Sequence, residues 1–422
     1  MRSTPGRGQK DVMKKILLVA MQSSVHTLRW ASQLDRQQWD VHIFPADDRT
    51  IHQEWEDVTV YRLIRQQSPT PPETVTQKGF FWPFKRGRTR MGHYLKNLEA
   101  SGALSPARRL ARTIKAIKPD IIHVLEMQHA GYLFAEAAQM LDSIPAPVIY
   151  SSWGSDIFFF SDKPGHEEKI RRFLSLCQYH ISDCERDLHL ARQFGFTGTS
   201  LGVVPGMGGM QVAEMAEMGS GLRPSARNII AIKGYHHDDF AGRSMVIFDA
   251  LLRIAHLIRS YKILVYLVGE PALHVVPFVK RISGLDISIL SKDAVPNKEI
   301  LTLFGRARIS VAMNVSDGTP NSLIESMAMG AFPVQSDTVS TGEWIEHGRN
   351  GFLVPPEDAE SCAEAIALAV KDDSLVDNAA SFNCNLIMRR IDNSVVLPRV
   401  NAMYRAVLEG TEPSKKWLKW PE

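Results

Sequence analysis

The sequence predicts an α/β protein with two doubly wound domains, each built around a parallel sheet, and three observations support this fold class. The chain has 422 residues, which at about 150 residues per domain corresponds to two or three domains. Short, continuously apolar runs alternate with helical patterns, as is typical of strands buried in a parallel sheet. The alternation stops near Pro205 and then begins again, so the two halves are expected to form separate sheets.

The first domain is predicted to span residues 13–205. Its expected strands are the apolar runs at 16–20, 41–44, 58–61, 121–124, 147–150 and 179–182. Helices are expected between them where apolar residues recur at helical spacing, at 26–34, 107–117 and 132–141. No G-x-G-x-x-G pattern follows the first strand, which argues against a dinucleotide site of the NAD type.

The second domain is predicted to span residues 206–389. Its expected strands lie at 229–232, 263–268, 287–290, 308–312 and 332–335, with a helix at 245–258. The boundary is placed within 204–209, where Pro205 and nearby glycines interrupt both periodicities. A C-terminal helix near 390–422 is expected to cross back onto the first domain and to bury the apolar residues Trp417, Leu418 and Trp420.

The composition excludes several functional classes. Hydrophobic residues make up 44% and charged residues 23% of the chain, which is typical of a globular protein. The formal net charge is only +3 and no nucleic-acid-binding motif is found, so no nucleic-acid partner is expected. The four scattered cysteines argue against a disulfide scaffold or a zinc site and favour a reducing cytoplasm. Every apolar run is shorter than the ~18 residues of a spanning helix, so any membrane contact is expected to be peripheral.

The strongest candidate site is the segment 316–330, in which an acidic, glycine-containing loop leads directly into a helix. Thr319 suits the N-cap, Pro320 the first helical position, and Gly330 the end of a helix of about ten residues. The free backbone N–H groups at the start of such a helix can hold a phosphate. The segment that offers them comprises Gly318, Thr319, Pro320, Asn321 and Ser322.

Glu325 lies one helical turn beyond this segment. A carboxylate accepts hydrogen bonds from two vicinal hydroxyls at once, so Glu325 can bind a ribose attached to the phosphate. Asp317 and Glu325 then bracket a nucleoside diphosphate sugar. The alternative is a capped loop in which Glu325 is merely solvated.

The segment resembles the E-x7-E region of family 4 glycosyltransferases of the GT-B fold, with Asp317 in the place of the first Glu and Glu325 as the second. The resemblance extends through 342–354, which is similar to the family's G-x-E-x-I and G-x-x-G-x-L-V pattern. Upstream, 24–30 looks like the N-terminal loop of these enzymes, and 118–124 looks like their P-D-I-I-H strand.

The resemblance implies two Rossmann-like domains that face each other across a cleft, the first for the acceptor and the second for the nucleotide sugar. It further implies a retaining glycosyltransferase that moves a sugar from a nucleoside diphosphate sugar to a hydroxyl acceptor, in bacterial surface polysaccharide or glycolipid assembly. No cofactor is expected besides the donor itself. Two alternative functions remain open. One is another reaction class on this fold, such as a nucleotide-sugar epimerase or a sugar-phosphate transferase, and the other is a catalytically silent binding member of an assembly complex.

The family uses a basic pair after the first strand of the second domain to neutralise the diphosphate, and Lys233 and Arg243 are the candidates here. Such cations stabilise the charge that builds on the leaving phosphate. Their spacing is longer than in the family. No metal is expected, because a cationic pair can replace Mg²⁺ and the sequence has no Asp-x-Asp motif. The alternative is that either residue is a solvated surface charge.

On the acceptor side, the residue that corresponds to the family's His is Trp153, which cannot exchange protons. Asp156 is the candidate for acceptor orientation or base catalysis, and three histidines are candidates to reach the cleft from strand ends: His26, His123 and His129. Alternatively, the departing phosphate takes the acceptor proton and no protein base is required. The structural alternative for each side chain is a satisfied polar group at a strand end.

The cluster at 78–90 interleaves aromatic residues with Lys and Arg. Such a segment can insert rings at a lipid interface while its charges meet anionic head groups. The resemblance places loops of this kind near the acceptor, so a lipid-linked acceptor and a peripheral position at the inner face of the membrane are expected. The alternative is that the aromatic residues pack on the first domain.

Overall fold

The computed structural model describes residues 13–62, 71–79, 105–291, 295–338 and 340–421. These residues form two parallel sheets, so the predicted fold class is confirmed. Within them the first sheet has eight strands, β1 (Lys14–Ala20), β2 (Trp39–Pro45), β3 (Thr59–Tyr61), β4 (Thr76–Lys78), β5 (Ile121–Leu125), β6 (Val148–Ser151), β7 (Tyr179–Ser182) and β8 (Thr199–Val203). Their order across the sheet is β4-β3-β2-β1-β5-β6-β7-β8.

The second sheet has six strands in the described residues: β9 (Ile229–Lys233), β10 (Lys262–Tyr266), β11 (Asp286–Ile289), β12 (Ala307–Ala312), β13 (Phe332–Ser336) and β14 (Phe352–Val354). Their order is β11-β10-β9-β12-β13-β14. Each predicted strand is present. The strands β4, β8 and β14 are not predicted. All three lie at sheet edges, and β4 and β14 have only three residues each.

Helices pack on both faces of each sheet. The first half of the chain contains α1 (Val25–Ser32), α2 (Pro106–Ile117), α3 (Tyr132–Ala138), α4 (Glu167–Ser175) and α5 (Glu185–Gln193). The second half contains α6 (Val212–Glu217), α7 (Ser244–Arg253), α8 (Glu270–Ser283), α9 (Asn297–Phe304), α10 (Asn321–Ala328), α11 (Ala359–Lys371) and α12 (Asp373–Ile391). The apolar side chains between helices and strands form two cores per sheet.

The last helix, α13 (Asn393–Glu409), packs on the first domain. Its apolar face, which includes Val400 and Met403, lies in the core beside β1. The hydroxyl of Tyr404 accepts a hydrogen bond from Trp30 Nε1 at 2.9 Å. Further on, Trp420 packs against Trp344 of the second domain, with ring centroids 4.6 Å apart. The C-terminal segment therefore contacts both domains. The predicted helix near 390–422 ends at Glu409, and the expectation that Trp420 is buried on the first domain is wrong, because its ring packs on the second.

The two domains touch directly where the loop after β6 meets the loop after β12. Gly154 has a φ of +81° and lies so close to Gly318 that a Cβ at Gly154 would collide with the Gly318 backbone. The predicted boundary at 205/206 falls in the connection between β8 and β9. Within the described ranges, no helix has both the length and the apolar character that a membrane crossing requires.

Candidate active site

A cavity of about 830 Å³ lies between the two domains. Its walls come largely from segments that follow the carboxyl ends of β1, β6, β7, β9, β10 and β12, the edge at which parallel sheets bind ligands. The predicted site residues that line it are His26, Trp153, Lys233, Asp317, Thr319, Asn321, Ser322 and Glu325. Gly318 and Pro320 lie on the same loop between lining residues. The cavity lining does not include Asp156, His123, His129 or Arg243.

The loop after β12 is held by the first domain. Helix α10 begins at Asn321 and its N-cap residue is Pro320, so the predicted N-cap at Thr319 is wrong by one residue. The reason is that Thr319 bonds to Asp183 instead: its N–H donates to the Asp183 carboxylate at 2.8 Å and its hydroxyl to the Asp183 carbonyl at 2.7 Å. The loop conformation therefore depends on a residue of the first domain.

Glu325 faces the cavity from one turn into α10 and is only 4% exposed, so the alternative of a solvated side chain is wrong. Its Oε1 accepts a hydrogen bond from Asn297 Nδ2 at 2.9 Å. Arg29 of α1 donates to the same oxygen at 3.4 and 3.5 Å. Burial raises the pKa of Glu325, and the positive charge of Arg29 and the Asn297 hydrogen bond oppose that rise.

Lys233 ends β9 and lines the cavity together with Asp317. Burial raises the pKa of the Asp317 carboxyl, and the positive charge of Lys233 is the largest effect that opposes this rise. The carboxylate also accepts a hydrogen bond from the N–H of Gly318 at 3.0 Å. A cation and a carboxylate thus share one wall of the cavity. The N–H groups of Gly318 and Thr319, which are predicted to be free for a phosphate, are instead bonded to Asp317 and Asp183.

Arg243 does not join Lys233 at the cavity. Its guanidinium donates to the carbonyl of His237 at 2.5 Å and to the Glu357 carboxylate at 3.2 Å. The residues between Lys233 and Arg243 form a loop that pairs back on itself through a bridge between His236 and Arg243. This loop, which lengthens the spacing relative to the family pattern, turns Arg243 away from the cavity.

His26 and Trp153 form part of the first-domain wall of the cavity, with ring centroids 5.2 Å apart. Burial, reinforced by the positive charges of Arg29 and Lys233, lowers the pKa of His26 to about 4. His26 is therefore neutral at pH 7. Its Nδ1 lies 3.5 Å from the side-chain nitrogen of Asn321 on α10.

Asp156 is buried below the cavity wall and is not exposed to it. Its carboxylate accepts hydrogen bonds from the Tyr150 hydroxyl at 2.9 Å and from the Met127 N–H at 3.0 Å. Burial raises its pKa well above the ordinary value. The structure thus places Asp156 as an internal support for the turn at Met127, as in the structural alternative.

His123 and His129 are likewise bonded within the first domain. His123 is 0% exposed and lies 2.7 Å from the Tyr404 hydroxyl and 2.8 Å from the Ser151 hydroxyl, and burial lowers its pKa to about 3. His129 Nδ1 lies 3.2 Å from the Glu126 carboxylate, and the hydrogen bond to Glu126 is the largest cause of a raised pKa. Neither ring lines the cavity, because hydrogen bonds to neighbouring residues hold both of them elsewhere.

Arg29 and Asp183 line the cavity but are not predicted as site residues. Asp183 is 5% exposed, lines the cavity and accepts hydrogen bonds from the N–H groups of Gly206 at 2.7 Å and Thr319 at 2.8 Å. Burial raises its pKa to about 8. Arg29 lies in the motif at 24–30, so the sequence contains a signal for it. Asp183 has no such signal, because the residues to which it bonds are far away in sequence. Among the described residues, no His, Cys, Asp and Glu side chains cluster as metal ligands.

Two family models match the chain. Residues 15–78 and 93–181 match the model described as Glycosyl transferase 4-like. Residues 241–372 match the model described as Glycosyl transferases group 1. The first match covers most of the eight-stranded sheet, and the second covers the segment from Arg243 through α10 to α11.

Solved structures share the fold over nearly the whole chain. HepE from Anabaena, solved in complex with UDP, has a TM-score of 0.63 and 14% identity over 93% of this chain and 100% of that one. Sucrose-phosphate synthase from Thermosynechococcus elongatus has a TM-score of 0.65 and 12% identity over 94% of this chain and 100% of that one. At these identities the likeness is one of fold, and the predicted GT-B fold is confirmed.

A curated relative is similar over a short segment. The exopolysaccharide phosphotransferase of Streptomyces coelicolor is 37% identical over 84 residues, which are 19% of this chain and 9% of the relative. The chain thus spans less than a tenth of that protein in the matched region.

Proposed function

The chain belongs to the group 1, or family 4, glycosyltransferases, and we propose that it transfers a glycosyl group from a nucleoside diphosphate sugar to a hydroxyl acceptor. The observation that carries the proposal is the position of Glu325. This side chain is buried, with 4% exposure, and faces the cavity one turn after the first N–H groups of α10. A carboxylate and a helix N-terminus at this spacing suit the ribose and the phosphate of one nucleotide.

In the proposed donor complex, different residues of the cavity bind different parts of the donor. Glu325 accepts hydrogen bonds from the ribose hydroxyls, and the N–H groups around Asn321 and Ser322 bind a phosphate. Lys233 neutralises the diphosphate, and Asp317 with the loop through Thr319 contacts the sugar. The cavity volume of about 830 Å³ supports a ligand of this size. Arg243 is given no task in this complex, because its guanidinium is paired outside the cavity. Its predicted role at the diphosphate rests on the sequence alone.

We propose transfer with retention of configuration. The bond between sugar C1 and the phosphate oxygen breaks, and its electrons go to the phosphate. The acceptor oxygen bonds to C1 on the same face, and the acceptor proton passes to the departing phosphate. His26 and Trp153 form the acceptor wall, and no protein base is required. Lys233 stabilises the charge on the leaving group, so no metal is needed in this scheme.

The acceptor is proposed to be a glycan or lipid-linked hydroxyl in bacterial surface polysaccharide or glycolipid assembly. The similar segment of the exopolysaccharide phosphotransferase supports this class of acceptor without identifying the molecule. We propose a cytoplasmic location with peripheral membrane contact through 78–90, of which residues 80–90 lie outside the described part of the chain.

A nucleotide panel tests the proposal. Thermal unfolding is measured with UDP, GDP, ADP, dTDP and CMP for the wild type, for Glu325→Ala and for Glu364→Ala, an exposed control on α11. A ligand at a hundred times its Kd stabilises the wild type by about 2.7 kcal/mol. We expect one nucleoside diphosphate to stabilise the wild type and the control but not Glu325→Ala. An equal response of all three proteins would show that the ribose role of Glu325 is wrong.

A second candidate is a member of the family that binds the donor without turnover. Trp153 at the position of the family's His favours it, since indole cannot exchange protons. Release of the free nucleoside diphosphate only when a hydroxyl acceptor is present would exclude this candidate and the epimerase alternative together. Tight donor binding without product, for every acceptor offered, would instead favour the silent member.

A further inference from the structure

Two side chains with a permanent positive charge line the cavity within the described residues, and they come from opposite domains. Lys233 belongs to the second domain, and Arg29 projects from α1 of the first. The family pattern places both diphosphate cations on the second domain, yet Arg243 is bonded to Glu357 and His237 outside the cavity. The cavity therefore has one cation from each domain.

Arg29 is held loosely. Its two contacts to Glu325 Oε1 are 3.4 and 3.5 Å long, whereas a well-formed charge-assisted hydrogen bond measures about 2.7–2.9 Å. The side chain of Arg29 is 25% exposed. Glu325 has a closer partner in Asn297, at 2.9 Å. Arg29 can thus leave Glu325 without leaving that carboxylate unbonded.

The chemistry of a nucleotide places a phosphate beside this arginine. In a nucleoside diphosphate, the first phosphate is attached at C5′, across the ribose from the 2′ and 3′ hydroxyls, so a long side chain such as arginine that starts beside the ribose-binding carboxylate can reach toward that phosphate. A guanidinium presents a planar fork of donors that matches two phosphate oxygens. The side chain that contacts Glu325 is therefore also suited to bind a phosphate of the donor.

We propose that Arg29 supplies the second positive charge at the donor diphosphate, in the place that the family pattern assigns to Arg243. In the structure Arg29 contacts Glu325. In the donor complex the ribose hydroxyls donate to Glu325, and Arg29 donates to the phosphate oxygens. The diphosphate is then bound by Lys233 and Arg29 together and bridges the two domains. This inference rests on the proposed function.

The test compares affinities for a nucleoside and for its diphosphate. Calorimetric titration measures the Kd of uridine and UDP, with guanosine and GDP, adenosine and ADP, and thymidine and dTDP as further pairs. The proteins are the wild type, Arg29→Met, Arg243→Met and Arg253→Met, the last a control at an exposed arginine that is paired with Asp249 on α7. Methionine keeps the length of the side chain without its charge. The nucleoside titration also reports whether each variant is folded.

For Arg29→Met we expect a loss of about tenfold or more in affinity for the diphosphate, as for a lost hydrogen bond to a charged group, with nucleoside affinity unchanged. A parallel loss for nucleoside and diphosphate would mean that Arg29 only orients Glu325, and it would overturn the inference. So would a wild-type diphosphate Kd in Arg29→Met, and a loss in Arg243→Met would then return the role to Arg243. If none of the four diphosphates binds the wild type, the proposed function itself fails.

Discussion

His123 and His180 are both 0% exposed, and burial lowers the pKa of each to about 3. Both rings remain neutral at pH 7 and serve as hydrogen-bonding groups inside the first domain: His123 bonds to Tyr404 and Ser151, and His180 to Ser152. The folded protein therefore binds fewer protons at these sites than the unfolded chain does in mildly acidic solution. Stability must then fall as the pH falls.

The substitution His123→Gln isolates this effect at one site. The unfolded ring binds a proton below pH 6.5, whereas the folded ring does so only near pH 3. Between pH 6.5 and pH 5 the unfolding free energy of the wild type should fall by about 2 kcal/mol more than that of the variant. Urea unfolding at several pH values measures the difference in unfolding free energy between the two proteins. That difference should shrink on acidification, and a pH-independent difference for His123→Gln would contradict the account.

Most of the predicted site residues fall into two groups: those that line the cavity and those that are hydrogen-bonded inside the first domain. Glu325 and Lys233 were predictable, because local patterns place them at a helix start and at a strand end that face the same cavity. Asp156 and His123 have the same local signature of a polar residue near a strand end, but their hydrogen bonds to Tyr150 and Tyr404 hold them inside the fold. A sequence alone does not distinguish a polar group that faces a cavity from one that is bonded below its wall.

At the scale of secondary-structure elements, α1 is the element that brings first-domain chemistry to the cavity. It carries both His26 and Arg29, which line the cavity. Its start is fixed by Ser24, whose hydroxyl accepts a hydrogen bond from the His26 N–H at 3.2 Å. The position of both functional side chains therefore depends on the capping of this helix.

Ser24→Ala removes the N-cap of α1 and should lower the free energy of unfolding by about 1 kcal/mol. Chemical denaturation measures the loss. The matched control is Ser32→Ala at the other end of α1, where the exposed hydroxyl donates to the Arg29 carbonyl and caps no free N–H. Equal losses for the two variants would mean that Ser24 does not act through capping.

Elements with continuous apolar runs were predictable, and the exceptions have local causes. β10 ends at Tyr266, two residues before the predicted end, because Leu267 adopts a φ of +48°. The edge strand β4 has the polar sequence TQK and no apolar signal. The loop between Lys233 and Arg243 pairs back on itself, and no pattern in its sequence indicates that this turns Arg243 away.

At the scale of the whole molecule, contacts between the domains shape the site. The Asp183 side chain of the first domain accepts hydrogen bonds from Gly206 in the connection between the domains and from Thr319 on the loop after β12. Arg29 and Glu325, which meet across the cavity, are 296 residues apart in sequence. Such pairs depend on how two domains are placed against each other, and no periodicity or motif within one domain encodes that placement.

Asp183→Ala should weaken the contact between the first domain and the loop after β12. The buried N–H groups of Gly206 and Thr319 lose their acceptor, at a cost of about 1–3 kcal/mol each in unfolding free energy. Hydrogen–deuterium exchange should become faster at both positions, and thermal unfolding should begin at a lower temperature. The control Asp249→Ala removes an exposed carboxylate paired with Arg253 and should change neither. Unchanged exchange at Gly206 and Thr319 in Asp183→Ala would refute the role of Asp183.

The central claim is that the carboxylate of Glu325 binds the ribose of a nucleoside diphosphate in the cavity between the domains. Its most direct test is a titration of the wild type and Glu325→Ala with the nucleoside diphosphate from the panel and with its 2′,3′-dideoxy analogue. The account predicts that the wild type binds the analogue about tenfold or more weakly, because hydrogen bonds to a charged group are lost, and that Glu325→Ala binds both ligands alike. Equal binding of the two ligands by the wild type, or continued discrimination by Glu325→Ala, would contradict it.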